Sequence, residues 1–495
     1  MNNSITKSTM IIFVMTLLGY VIGFVSQLVL AHYFGVTQEI DIFISASIIP
    51  EFLFGVTNAI LFTSFVIYFP EYSKKNDGNT FINQLFTFSF FFLLGLVVLI
   101  ILLSSYLAEF IAPGFSETQL QMTSNIIKIL SCTVFFFGIS SLLTGILHHE
   151  HKFIVAKSLR ILIGIGIIIG ILIRSNIIFL SLGMVFGIIL AVGIQFASVY
   201  KIYSIKFTKN LKNFPYKELF ALSLPLLLTS GLYYANKWMM NLFASTLGVG
   251  AITILNYAFI VVNIPIILIV NSVSAAIFPT MTKYSAYNNN QDLTNLFSKG
   301  INGVLILLIP LMIIILFFSK EIILLLFERG QFTATEQVGT ALFLYTIGLV
   351  PLGIFTLVIT LLNSIKKILL AVILYTLFLI SNLILILVLK DSLSFQSIAL
   401  AYSISNWIVV FASYTVIKQF IKLDKITSYK VLTASGIMAV VLYALVFLFD
   451  KNNFLFISIF SLLFYSFLLK IFHVKELEEM IAFVKRQVAL GLTAK

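Results

Sequence analysis

Apolar runs of about twenty residues, each long enough to cross a bilayer as a helix, succeed one another along the whole chain between short polar turns. A window of ~19 residues predicts about fourteen spans, at 9–33, 41–69, 81–108, 122–147, 154–173, 177–200, 218–244, 250–279, 298–326, 336–362, 367–389, 394–417, 427–449 and 453–472. Long strand-type alternation does not occur, which excludes a membrane barrel. Composition agrees, with 60% hydrophobic and 10% charged residues and a mean hydropathy of +1.09. Soluble domains carry about 25% charged residues. The expected fold class is an all-α polytopic membrane protein, whose function must lie with the few polar residues kept inside the bilayer.

The basic residues set the orientation. Loops after even-numbered spans hold Lys74, Lys75, Lys152, Lys157, Arg160, Lys201, Lys206, Lys209, Lys212, Lys217, Lys283, Lys366, Lys367, Lys418, Lys422, Lys425 and Lys430. Those after odd-numbered spans hold Arg174, Lys320, Arg329, Lys390 and Lys451. Positive loops stay in the cytoplasm, so both termini are expected there. The formal charge of +12 is thereby topological, and its spread over many short loops argues against a nucleic-acid partner. The apolar stretch from Met10 to Ala31 is too long for a cleavable signal. Cys132 is alone, which excludes an intrachain disulfide.

A repeat is visible at an offset of about 215 residues, Gly35 and Pro50 recurring as Gly250 and Pro265. Phe69-Pro70 recurs as Phe278-Pro279 after a six-residue slip, and Gly114-Phe115-Ser116 answers Gly330-Gln331-Phe332-Thr333. Two six-span lobes in parallel orientation follow, a plan in which the substrate path runs between repeats. The expected organisation is a lobe over 1–203, a cytoplasmic linker over 204–217, a second lobe over 218–425, two further spans over 426–473, and a tail over 474–495. Helical spacing of Leu477, Met480, Ile481, Val484 and Val488 is consistent with an amphipathic surface helix in that tail, the alternative being a plain stop-transfer tail.

An ionisable side chain within a span costs several kcal/mol unless it meets a partner or a wet cavity. Lys237 lies more than halfway along the seventh span, on one helical stripe with Tyr233 and Asn241. An ammonium beside a phenol and an amide is suited to a phosphate; the plainer alternative is a packing pair with a carboxylate. The second span offers Asp41 near its outer end and Glu51 about 15 Å deeper. Glu51 and Asn58 point the same way, and Pro50 interrupts the backbone ladder as a candidate hinge. The eighth span repeats the theme with Asn256, Asn263 and Pro265. Lys128 lies in the fourth span, while Lys157 and Arg160 open the fifth, where they can also snorkel to headgroups. Asn382, Ser403 and Asn406 are candidate ligands for sodium, although such groups commonly serve as interhelical glue. His148, His149, Glu150 and His151 read as a short turn rather than a metal site. No phosphate-binding loop, nucleophile elbow or soluble pair of catalytic acids is visible, so an enzyme or ATP-driven pump is not expected.

An ordered set of short motifs then carries a resemblance. Gly35 to Asp41, Ile49-Pro50, Ala112-Pro113-Gly114-Phe115, Gly145-Ile146-Leu147, Asn256-Tyr257-Ala258, Phe278-Pro279 and Leu326-Phe327-Glu328-Arg329-Gly330-Gln331-Phe332 follow one another over about the first 370 residues. Together they resemble the MurJ/MviN family of lipid II flippases, in the superfamily that includes polysaccharide exporters and MATE antiporters. The resemblance implies two six-helix lobes, a central cavity, and two extra helices forming a groove for the polyprenyl tail. It also implies cavity arginines that hold the pyrophosphate. Aligned on Gly23-Phe24, Pro50 and Tyr257-Ala258, those positions here are Tyr20, Ser26, Phe54 and Ile260, while Asp41 matches the family's polar set. A doubly charged headgroup in a low-dielectric cavity needs cations, and Lys237 with Lys128 or Arg160 is what this chain offers.

The expected function is translocation of a polyprenyl-pyrophosphate-linked saccharide, either lipid II-like or a polysaccharide repeat unit, across the bacterial cytoplasmic membrane by alternating access. No cofactor is expected beyond sodium or a proton as coupling ion. The expected partners are the lipid-linked glycan, membrane lipids, and a glycan polymerase or glycosyltransferases. A cation-coupled MATE-type drug antiporter and a transport-inactive scaffold of a glycan-assembly complex are the alternatives.

Overall fold

Every regular element among the described residues is a helix. The structure, a computed structural model, describes residues 2–74, 78–210, 216–421, 428–449 and 451–474. In order these form α1 (Asn2–Phe34), α2 (Gln38–Thr57), a π-turn (Asn58–Phe62), α3 (Thr63–Lys74), α4 (Gly78–Ile111), α5 (Glu117–His149), α6 (Phe153–Ala156), α7 (Ser158–Ile173), α8 (Ile177–Tyr200) and α9 (Tyr216–Ser245). There follow α10 (Ala251–Pro265), a second π-turn (Ile266–Val270), α11 (Asn271–Ala286), α12 (Asn290–Phe317), α13 (Ser319–Phe327), α14 (Thr335–Thr346), α15 (Leu349–Ser364), α16 (Ile368–Leu393), α17 (Gln396–Ile417), α18 (Ser428–Phe449) and α19 (Phe454–Ile471).

Among the described residues eleven helices are long and apolar enough to span a membrane, or twelve if α14 and α15 count as one bent span. The expected fifth and seventh spans correspond to the short apolar α7 and the 30-residue α9. The expected ninth span, 298–326, is instead α12, which stops at Phe317, followed by the separate α13. The expected tenth is bent by 48° between α14 and α15. Its cause is local. Pro351 has no N–H to offer the carbonyl four residues back, and the Trp407 indole donates to that Ile347 carbonyl at 3.1 Å. Ser403 Oγ lies 2.6 Å from the Leu344 carbonyl and 3.2 Å from that of Tyr345.

Two compact units result, one of residues 1–253 with 327–334, the other of 254–326 with 335–495. In the first, α9 packs with α2 and α4, and the start of the linker runs along α4. Gln84 Nε2 donates to the Asn210 carbonyl at 2.8 Å, and the Lys206 N–H to Asn83 Oδ1 at 2.8 Å. The backbones of α7 and α8 touch through Gly166, Gly170, Gly183 and Gly187, where any Cβ would strike the facing carbonyls; small residues four apart permit such approach. In the second unit α19 docks on α12, Tyr465 OH donating to the Ile306 carbonyl at 3.1 Å. Most of the tail over 474–495, including every residue of its apolar stripe, lies outside the described residues.

The two π-turns sharpen the repeat. Asn58 stands eleven residues before Phe69, and Ile266 twelve before Phe278, so the slip between halves falls between each proline and its π-turn. The helix runs unbroken through Pro50, and the irregularity comes afterwards.

Candidate functional site

One end of the first unit is built from the motif residues. Gly330 and Gly35, at φ +64° and +60°, bring the segment 327–334 against the end of α1, where the Gln331 N–H donates to the His32 carbonyl at 2.9 Å. A Cβ on Gly330 would strike His32, one on Gly35 would strike the Gln331 carbonyl, and one on Gly114 would strike the Ser245 carbonyl. Asp41 completes this end. Its Oδ2 accepts the Gly250 N–H at 2.5 Å, and its Oδ1 accepts the Thr253 N–H at 2.8 Å and the Thr253 hydroxyl at 2.6 Å. The carboxylate therefore caps the first turn of α10, where unpaired amides favour an anion.

Away from this end the polar residues of α2 and α9 become steadily more accessible. Along α9, Asn241 is buried and donates to Ser45 Oγ at 3.1 Å and to the Ile111 carbonyl at 3.2 Å. One turn on, Lys237 forms an ion pair with Glu51. A further turn on, Tyr233 is exposed. Along α2 the sequence is the same: Asp41 is 1% exposed, Glu51 keeps 39% of its side-chain surface accessible, and Asn58 is exposed. Lys237 keeps 35%. These residues form a face of α2 and α9 in the first unit that is buried at the Asp41 end and exposed at the Asn58 and Tyr233 end.

Aromatic rings and a second cation complete it. Tyr234 stacks edge-on to Tyr233 at 5.3 Å and to Phe52 at 5.8 Å. Gly55 makes room for the Tyr234 ring, which a Cβ there would meet at 2.7 Å. The Arg160 guanidinium carbon stands 4.3 Å above the centroid of the Tyr20 ring. Tyr233 lies in the field of Lys237, Glu51 and Tyr20, and Tyr234 in that of Glu51 and Arg160.

Lys237, Glu51 and Tyr233 thus stand together with Asn241 at their buried end, while Arg160 lies beside them over Tyr20 of α1. Lys128 lies instead on an exposed face of α5. Asn263 donates to the Phe259 carbonyl of its own helix at 2.9 Å, and Asn256 is half-buried, both in the second unit. Asn382, Ser403 and Asn406 are buried there too, and Asn406 Nδ2 donates to the Tyr402 carbonyl at 2.8 Å. At the positions where the resemblance implied arginines, Ser26 donates to the Gly23 carbonyl at 2.7 Å and Phe54 packs on Phe137 at 4.6 Å. The histidine turn is pinned by rings: His148 meets Phe62 and Phe153, His149 meets Phe69, and Tyr203 OH donates to Glu150 at 2.6 Å. Burial and that hydrogen bond push the Tyr203 phenol pKa up. Tyr20, Tyr234 and Gly55 were not singled out for the site from sequence. Tyr20 was noted as a departure from the family pattern, and the Gly55 gap opposite an aromatic pair was the available signal.

Comparison with known proteins follows this geometry. Residues 30–467 match the family model described as Lipid II flippase MurJ. A probable lipid II flippase MurJ from Buchnera aphidicola subsp. Schizaphis graminum is 29% identical over 429 residues, 83% of each chain. Its counterpart from Borreliella burgdorferi is 24% identical over 473 residues, 91% of this chain and 90% of that one. A solved lipid II flippase MurJ in an inward closed conformation superposes with a TM-score of 0.82 at 25% identity, covering 94% of this chain and 99% of the other. An inward-facing MATE-family multidrug transporter of the MOP superfamily gives 0.68 at 12% identity over 80% and 94% of the two chains, a likeness of fold alone.

Proposed function

This chain is a member of the lipid II flippase MurJ family, and on that premise we propose that it moves a polyprenyl-pyrophosphate-linked saccharide across the bacterial cytoplasmic membrane by alternating access. It is a multi-pass transporter and not an enzyme. The cargo is lipid II or a polysaccharide repeat unit on the same polyprenyl-pyrophosphate carrier. The observation that carries the reading is the accessible ion pair of Lys237 and Glu51, midway along the graded polar face of α2 and α9.

The chemistry follows from that pair. Lys237 is a compact cation whose present partner is Glu51, and an entering phosphate competes for it with a higher charge. Glu51, once released, is a partly buried carboxylate, and an unpaired charge there is costly. A proton or sodium ion taken up by Glu51 removes that cost and links loading to resetting. The proline and π-turn of α2 supply the flexible joint, because a π-turn loosens the regular ladder and is frequent at functional sites. Asp41 ties its own end of α2 to the start of α10 while the Asn58 end stays exposed. Partners on either side of the step are the enzymes that build and polymerise the glycan.

Lys237→Ala is expected to abolish flipping of lipid II in reconstituted vesicles while leaving expression and folding intact. Full flipping by that variant would show that the lysine is not the phosphate contact. The MATE-type antiporter alternative rests on shared fold alone, and export of cationic drugs by the wild-type vesicles is its test.

A further inference from the structure

Residues 204–210, between α8 and α9, lie along the start of α4 without forming a helix or strand. Asn79 Nδ2 donates to the Ser204 carbonyl at 3.3 Å, the Lys206 N–H to Asn83 Oδ1 at 2.8 Å, and the Thr208 N–H to Thr87 Oγ1 at 3.1 Å. The match is one of period. Every second residue of an extended chain repeats at about 6.6 Å and every fourth residue of a helix at about 6 Å. Residues 204, 206 and 208 therefore keep step with 79, 83 and 87. Gln84 Nε2 adds a bond to the Asn210 carbonyl at 2.8 Å. The Thr87 hydroxyl gives its proton to the Asn83 carbonyl at 2.7 Å, which leaves its oxygen to accept.

Phe207 sits between the bonded residues, its ring 5.5 Å from that of Phe86, 5.0 Å from Phe90 and 6.2 Å from Phe91. A slip by two residues would preserve the spacing but bring Ile205 or Lys209 to the phenylalanines, so Phe207 sets the register. The attachment is nevertheless shallow. Phe207 is 59% exposed, and the bonds of Asn79 to Ser204 and of Lys206 to Asn83 are exposed too. Each bond pairs a side chain with backbone, and water can replace them one at a time. Segments held in this way open before the packed elements around them. The chain beyond leads straight into α9, which has its own hold on α4. Trp238 Nε1 donates to the Phe110 carbonyl at 3.0 Å with the two rings stacked at 4.6 Å, and Asn241 donates to the adjacent Ile111 carbonyl at 3.2 Å. The C-terminal half of α9 is thus pinned to the last turn of α4.

We propose that residues 204–210 are a releasable strap: docked on α4 they restrain the start of α9, and undocked they let it swing about the pin at Trp238. The inference rests on the alternating-access reading and adds the restraint that such a cycle must undo. Chain length shows the size of the effect. Five residues separate Asn210 from Tyr216, a reach of at most about 20 Å, whereas fifteen separate Tyr200 from Tyr216, a reach of about 50 Å. Lys237 adjoins the pin, so a swing of α9 changes its approach to Glu51 on α2 while the helix keeps its hold on α4.

The test uses full-length protein in nanodiscs, with hydrogen exchange followed by mass spectrometry. The Lys206 and Thr208 amides should exchange about tenfold faster in Gln84→Ala/Phe207→Ser than in wild type, the scale of one or two hydrogen bonds. That variant should also exchange faster over 216–232 while 233–245 stays unchanged, a split that general destabilisation of α9 would not give. For the converse, Thr87→Cys/Thr208→Cys is made together with Cys132→Ser and oxidised, which ties the strap to the helix. Oxidation should abolish lipid II flipping in reconstituted vesicles, and reduction should restore it. Should that pair fail to oxidise, Asn83→Cys/Lys206→Cys takes its place. Equal acceleration at both ends of α9, none at either, or full flipping by the oxidised pair overturns the proposal. Absence of flipping by wild type would instead sink the flippase reading, and the exchange split along α9 would still decide the strap.

Discussion

Asp41 and Glu51 are carboxylates on the same helix, ten residues apart, and the fold treats them in opposite ways. Asp41 is sealed and fully occupied, accepting two backbone N–H groups and a hydroxyl at the head of α10. Glu51 has one partner, a lysine, and both remain more than a third accessible. A buried charge held by several fixed dipoles has nothing left to exchange. One held by a single mobile counter-ion can trade it. The contrast separates a group that maintains one state from a group able to distinguish two.

The sharpest way to break this comparison is at Asp41. Asp41→Ala leaves the Gly250 and Thr253 amides without their acceptor, and a loss on the order of 3 kcal/mol is expected, read as a lowered melting temperature in detergent. Unchanged melting would mean that the packing at this end of the unit does not depend on this cap.

Glu51 should behave otherwise. Its pair is partly solvated, which discounts the electrostatic gain to roughly 1 kcal/mol or less. Glu51→Gln should therefore melt near wild type, yet its flipping should no longer respond to pH or sodium. Combining it with Lys237→Met separates the roles. A double variant that recovers stability lost in both single variants, with pH dependence unaltered throughout, would make the pair structural and reject the exchange.

The smallest effect is expected at Asn58, exposed in the π-turn at the open end of the same helix. Asn58→Ala should shift stability by less than roughly 0.5 kcal/mol. A larger shift would show that the accessible end of α2 is braced after all.

The legible part of this molecule was its one-dimensional part. Apolar runs and short polar turns marked the spans because length against bilayer thickness is a local property. The stripe of Tyr233, Lys237 and Asn241 and the depth of Glu51 pointed to a pairing, since helical spacing fixes which side chains share a face. Three features escaped because they depend on neighbours. The bend between α14 and α15 needs Trp407 and Ser403 from α17 to occupy freed carbonyls. Arg160 could be placed at the start of a span, but its rest on Tyr20 depends on how α7 lies along α1. Nor did the pattern distinguish Asp41 from Glu51, as nothing in their own sequence says which would meet a helix terminus.

The π-turn at Asn58–Phe62 also bears on how the chain can change over generations. A turn closed by i→i+5 bonds holds one residue more than an α-turn, so its loss would rotate everything downstream by about 100°. Phe65 and Phe69, now buried and stacked on one another at 4.5 Å, would swing off the face they occupy. A lineage can therefore exchange side chains around this turn freely, but a one-codon deletion inside it would be a rearrangement of the whole lower helix. The surplus residue works as a phase setting, stored in chain length and not in the identity of any amino acid.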